Sequence, residues 1–130
     1  MIEYKTNSPI SVKQFIELLN KTTLGSRRPL DDEARVAMML HHTDLLVTAW
    51  DEEQLVGVAR SVTDFAYCCY LSDLAVDEQY QKQGIGQQLI TYTKQALHPQ
   101  AKIVLLAAPQ AVEYYPHIGF TQHMSAWTKS

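Results

Sequence analysis

The sequence holds only two cysteines, Cys68 and Cys69, and they are adjacent. Neighbours in an extended strand point to opposite faces, so the pair offers neither a structural disulfide nor half of a metal site. A reducing, cytoplasmic setting is expected. The five histidines, His41, His42, His98, His117 and His123, form no ligand spacing with a cysteine or carboxylate, so no metal is expected. No apolar run approaches the ~18 residues of a membrane span. The opening MIEYKTNSPI has no apolar stretch of the kind a signal peptide needs, so neither an anchor nor a secretory signal is expected. Positive charge is also short: 11 Lys and Arg against 14 Asp and Glu leave a net charge of -3. A duplex nucleic-acid ligand asks for the opposite sign, so none is expected. Repeats, low-complexity tracts and Pro/Gly-rich linkers are missing too. The 130 residues are therefore read as one domain, 1–130.

What is present is a succession of short periodic segments. IEYKT alternates and predicts a first strand. In SVKQFIELLNK, Ser11 and Gln14 form a capping-box pattern, and Val12, Phe15, Ile16 and Leu19 follow at helical spacing. TTLGSRRP breaks that helix. Asp31, Asp32 and Glu33 place negative charge at the start of a second one, with Ala34, Ala37, Met38 and His41 as its expected inner face. DLLVTAW and QLVGVARSVT, joined by DEEQ, predict a hairpin. AYCCYLSDLAV reads as a third strand covered on both faces, since its apolar residues do not alternate cleanly.

A helical stripe then runs through Ile85, Leu89, Ile90, Thr93, Ala96 and Leu97 until Pro99. AKIVLLAA predicts a buried strand. AVEYYPHIGF predicts a short helix in which Pro116 sits awkwardly, and a last strand is expected beyond Phe120. The order β-α-α-β-β-β-α-β-α-β is that of an α+β fold, with a mixed, mostly antiparallel central sheet flanked by helices and one right-handed crossover.

The stretch YQKQGIG joins the third strand to the helix behind it. A glycine turn at a helix start offers free backbone N–H groups and the positive end of the helix dipole, which together suit a phosphate or pyrophosphate. Gly84 and Gly86 would let such a ligand reach the main chain, although an ordinary helix-start turn also favours glycine. A Walker A loop is excluded, because Gln87 and Gln88 follow Gly86 where Lys and Ser/Thr are required. A dinucleotide fingerprint is excluded by Leu89 at its third small position and by the lack of an acidic residue near Ala107. What remains is Gln-x-x-Gly-x-Gly, at Gln81, Gly84 and Gly86.

LSDLAVDEQYQKQGIGQQLI resembles the acyl-CoA motif of the GNAT superfamily of CoA-dependent N-acyltransferases. The resemblance implies that main-chain amides of Gln81, Lys82, Gln83, Gly84, Ile85, Gly86 and Gln87 hold the CoA pyrophosphate. It also implies that Leu74, Ala75 and Val76, at a bulge where the strand splays, pair with the pantetheine arm and donate to the acetyl carbonyl. AVEYYPHIGF resembles a second segment of the family, with Tyr114 where Phe is usual, Tyr115 at the usual Tyr, and Gly119 and Phe120 closing the motif. Two motifs in order, with matching elements between them, extend the resemblance over nearly the whole chain. Ala108 stands where many members carry Asn, and His117 where Lys is frequent. The tail after Phe120 has room for one strand of the usual C-terminal hairpin.

The chemistry implied is transfer of acetyl from acetyl-CoA, a co-substrate, to a primary amine of a small molecule or protein by direct attack in a ternary complex. Tyr115 is the candidate general acid for the leaving thiolate, because a phenol stays protonated at neutral pH. Asp73 is the candidate base or water relay; a buried carboxylate satisfied by Arg60 or by backbone N–H groups is its other reading. Arg27 and Arg28 are the candidate acceptor-binding residues, and a solvated basic loop is theirs. Trp50, Tyr67 and Tyr70 are either pocket or core aromatics. A homodimer is compatible with the family. The alternative function is a CoA-binding sensor or interaction module without turnover. A tRNA-directed acyltransferase would want a basic face, which the net charge disfavours.

Overall fold

The computed structural model describes residues 1–130. Five strands form one sheet in the order β1-β2-β3-β4-β5: β1 (Ile2–Thr6), β2 (Leu45–Asp51), β3 (Gln54–Thr63), β4 (Cys68–Val76) and β5 (Lys102–Val104). The first four strands are antiparallel neighbours, and β5 pairs with β4 in parallel. The helices are α1 (Val12–Leu19), α2 (Glu33–His41), α3 (Ile85–Gln95) and α4 (Tyr114–His117). This is the α+β, mostly antiparallel architecture the sequence predicts, with two apolar layers.

One layer lies between the sheet and α1 and α2, around Phe15, Leu18, Leu19, Val36, Trp50 and Val58. The other lies under α3, around Leu45, Val47, Leu71, Ile85, Leu89 and Ile90. Local signals set the helix starts. Gln14 N–H donates to Ser11 Oγ at 3.0 Å, and Ser11 N–H donates to Gln14 Oε1 at 2.9 Å, so the capping box is closed at both ends. Asp32 caps α2 by accepting from the Arg35 N–H at 3.1 Å. Pro116 is tolerated because α4 is one turn long and its first N–H groups have no helical partner to lose.

Four expectations are corrected. The inner face of α2 is Val36 with Met39 and Leu40, whereas Ala34, Ala37, Met38 and His41 are exposed. Two stripes of that helix have similar spacing, and the bulkier one wins the burial. At the end of α3, the capping Ala96 faces outward while Leu97 just beyond it is buried. The β5 strand is three residues long and only part-buried, because the chain leaves the sheet after Val104. No strand forms beyond Phe120, so the sheet ends at β5. Trp50 is a core residue whose indole N–H donates to Thr48 Oγ1 at 2.8 Å, and Tyr67 and Tyr70 are exposed.

Candidate active site

The expected double coverage of β4 holds from Ser72 to Val76, whereas Cys68 and Tyr70 before it are exposed. Ser61 pairs with Leu71 and Arg60 with Asp73, so Ser72 is an extra residue, a β-bulge. Because side chains alternate, one inserted residue moves everything after it to the other face. Cys69 and Leu71 pack in the α3 layer, and past the bulge Leu74 and Val76 take that side. Ala75 packs in the α1/α2 layer instead. Two polar residues in succession within an apolar run, Ser72 and Asp73, are the sequence trace of this bulge.

Past Tyr70, β4 also loses β5, because their ladder covers only Cys68 to Tyr70. The edge from Leu71 to Val76 that faces β5 is left without a strand partner. A cavity of about 50 Å³ opens at this split. It is lined by Leu71, Ser72 and Leu74 of β4, by Leu105 and Ala108 beyond β5, by Thr23, Leu24 and Arg28 of the α1–α2 loop, and by Tyr115 of α4.

The loop after β4 carries the second feature. None of the seven main-chain amides from Gln81 to Gln87 donates a hydrogen bond within the chain; the first helical donor is Gln88, to Gly84 O at 3.1 Å. Those of Ile85, Gly86 and Gln87 are the free donors of any helix start, and the four before them extend the run into the exposed loop. The backbone is bent to expose them. Gly84 caps α3 at φ 79, and Lys82 holds φ 65, a left-handed conformation that costs a non-glycine residue about 1–2 kcal/mol. At Gly86 a Cβ would stand 3.0 Å from the Tyr114 hydroxyl, so the α3 start and α4 meet there. Tyr114 and Tyr115 pack edge to face at 5.3 Å, and Tyr115 packs on Phe120 at 5.5 Å. These rings connect the start of α3, through Tyr114, to the cavity wall at Tyr115. Burial raises the Tyr115 phenol above the ordinary tyrosine value, and neighbouring Tyr114 adds to the rise.

Asp73 is fully buried, and both of its oxygens are taken. Arg28 Nε donates to Oδ1 and Arg60 Nε to Oδ2, each at 2.5 Å. The bulge turns it under the α1–α2 loop, away from the cavity walls, so it does not face the cleft as the expected base. The cause is the inserted Ser72, which reverses its side. Arg28 does reach the cleft. Its remaining bonds hold the Ser72 carbonyl at 2.8 Å and the Arg27 carbonyl at 3.0 Å. Arg27 is exposed on a short helical turn and is not part of the cavity wall.

A family model described as an acetyltransferase (GNAT) domain matches residues 18–129. The chain belongs to the GNAT acetyltransferase family. An uncharacterized N-acetyltransferase of Prochlorococcus marinus is 30% identical over 112 residues, 82% of this chain and 61% of its own length. GCN5-related N-acetyltransferase 2 of Arabidopsis thaliana, described as chloroplastic, is 37% identical over 71 residues, 53% of this chain. The chain spans only 28% of that relative's length, and 31% and 29% of two Glycine max acetyltransferases. Among solved structures, a GNAT family acetyltransferase of Streptococcus pneumoniae superposes with a TM-score of 0.77 at 23% identity, covering 99% of this chain and 98% of that one. An aminoglycoside acetyltransferase from a soil metagenome gives 0.72 at 21% identity, covering 99% and 94%. At these identities the solved structures speak for the fold.

For this GNAT member, sequence reasoning named Arg60 as a partner of Asp73 and passed over Ser72 as the bulge, Arg28 as the second partner, and Tyr114 as the residue packed against the start of α3. Only Ser72 left a sequence signal, as the interruption of the β4 pattern. The pairings of Arg28 and Tyr114 depend on how distant segments meet.

Proposed function

We propose that the chain transfers an acetyl group from acetyl-CoA to a primary amine bound in the same cleft. The observation that carries this reading is the run of seven unpaired amides, Gln81 to Gln87, leading into the split between β4 and β5 beside Tyr115. Amides at a helix start suit a pyrophosphate. The unpartnered edge of Leu74, Ala75 and Val76 suits the amide-bearing pantetheine arm, as an added strand would be held.

Acetyl-CoA supplies an activated thioester. The amine nitrogen bonds to its carbonyl carbon, the C–S bond breaks, and the thiolate takes a proton. Tyr115 is the proposed donor of that proton, since burial keeps its hydroxyl protonated at neutral pH. The ammonium proton goes to water, because no carboxylate or histidine lines the cavity. Cys68 and Cys69 are free thiols, which suits the proposed reducing, cytoplasmic setting. No helix is long and apolar enough to cross a membrane.

Gly86 decides whether the loop is built for a ligand or only for Tyr114. In Gly86→Ala the new methyl crowds the Tyr114 hydroxyl at 3.0 Å and comes within 3.9 Å of Val76 Cγ2. Adding Tyr114→Phe removes the crowded oxygen. Calorimetry with acetyl-CoA is expected to show affinity reduced about tenfold or more in Gly86→Ala and still reduced in the double variant, as a pyrophosphate held against the Gly86 main chain requires. Full recovery in the double variant would make Gly86 a packing residue. A thiol-release assay across amines, polyamines and peptides then separates the enzyme from a CoA-binding module, which would bind acetyl-CoA and release no thiol.

A further inference from the structure

We propose that the acceptor carries a carboxylate close to its amine, and that Arg28 binds it; the inference rests on the acetyl-transfer reading. Behind the cavity wall lies a cluster of charges that does not balance. Two guanidinium groups, Arg28 and Arg60, share the single carboxylate of Asp73, and no other acid lies within ion-pair distance of either. Guanidinium is always charged, so the cluster keeps one uncompensated positive charge. Buried charge without a partner is costly, and a partner from outside is favoured in proportion.

The two arginines are not equally available. Arg60 is buried, and all three of its nitrogens are occupied, by Asp73, by the Met39 carbonyl and Thr43 Oγ1, and by Ser72 Oγ. Arg28 is 22% exposed at its side chain and lines the cavity together with Tyr115. Of its five N–H groups three are spent, on Asp73, the Ser72 carbonyl and the Arg27 carbonyl. Two N–H groups therefore remain, one on each terminal nitrogen, on the only charged side chain of the cavity wall. A carboxylate meets this demand with charge-assisted hydrogen bonds.

The same wall argues against the opposite class of acceptor. It contains no Asp or Glu, so a polyamine would bring several ammonium groups to a cavity with no counter-charge. The excess positive charge also disfavours the ammonium form of a bound amine, and so favours the neutral nucleophile. One residue would thus select the acceptor and help to deprotonate it, in a cleft that has no base of its own.

The test uses matched acceptors: glycine, L-alanine, β-alanine and further amino acids, each beside its own carboxamide. Thiol release from acetyl-CoA is measured for the wild type and for Arg28→Gln and Arg28→Lys. In Arg28→Gln, Arg60 and Asp73 remain as a one-to-one pair, so the fold is expected to persist, and a melting curve checks it. The wild type is expected to favour at least one amino acid over its amide by about tenfold or more in kcat/KM, the scale of a charged hydrogen bond. Arg28→Gln is expected to erase the preference with KM for acetyl-CoA unchanged, and Arg28→Lys to keep part of it. Amides equal to or better than acids, or a preference that survives Arg28→Gln, would overturn the proposal.

If acetyl-CoA binds and no amine releases thiol, the transfer reading fails on its own. Titration of N-acetyl amino acids and their amides onto the CoA-loaded protein then judges Arg28. Selective binding of the acids that is lost in Arg28→Gln supports the anion site, and equal or absent binding of both overturns it.

Discussion

Tyr115→Phe is expected to lower kcat by about 10²–10⁴, the usual worth of a positioned general acid. That is roughly 3–5 kcal/mol of transition-state stabilisation at ~1.4 kcal/mol per decade. The ring stays, so its packing against Tyr114 and Phe120 survives and stability changes little. KM for acetyl-CoA should hold, because the proton is needed only as the C–S bond breaks. An acetyl thioester of a low-pKa aryl thiol leaves without a proton and should restore much of the lost rate. The sign of the pH effect follows from burial. Because the phenol is raised above its ordinary value near ~10, the acid keeps its proton throughout the neutral range, and any loss of rate from its ionisation falls above pH ~10. Equal rates for wild type and Tyr115→Phe with acetyl-CoA would reduce Tyr115 to a packing residue.

The second large effect is on stability. Asp73→Ala leaves two guanidinium groups facing each other without their carboxylate, at a site where Asp73 is fully buried and the Arg60 side chain is 7% exposed. Breaking a buried ion pair by removing one partner costs about 3–5 kcal/mol, a large part of the ~5–15 kcal/mol of a typical domain. Urea unfolding should show the midpoint falling with m unchanged. Asp73→Asn should be impaired as well, since it keeps the shape and loses the charge. A catalytic base would behave differently: Asp73→Asn would fold as well as the wild type and lose only rate. An unaltered midpoint in both variants would mean that Asp73 is not the strut joining β3, β4 and the α1–α2 loop.

Asp73 also shows where reading the sequence runs out. The loop of Gln81 to Gln87 is local chemistry: its glycines and its place between strand and helix lie within a few residues, and the structure leaves its amides unpaired. The capping box at Ser11 is equally local. The environment of Asp73 is set by Ser72, which turns the side chain over, and by Arg28, which is 45 positions away in sequence. Nothing nearby in the chain announces that arginine. The sequence reading of α2 chose the face of Ala34, Ala37, Met38 and His41, whereas the sheet buries the bulkier Val36, Met39 and Leu40. The strand expected after Phe120 failed because a strand needs a partner more than a pattern, and the ladder beside β5 is not extended by residues 121–130.

The central claim, that the loop after β4 holds acetyl-CoA by its backbone, is tested most directly by a ¹⁵N-labelled titration followed by NMR. Amide signals of Gln81 to Gln87 are expected to move most on adding acetyl-CoA, with those of Leu74 to Val76 next, and 3′-dephospho-CoA to reproduce the loop shifts because the pyrophosphate is retained. Saturable shifts centred elsewhere, with Gln81 to Gln87 unmoved, would contradict it.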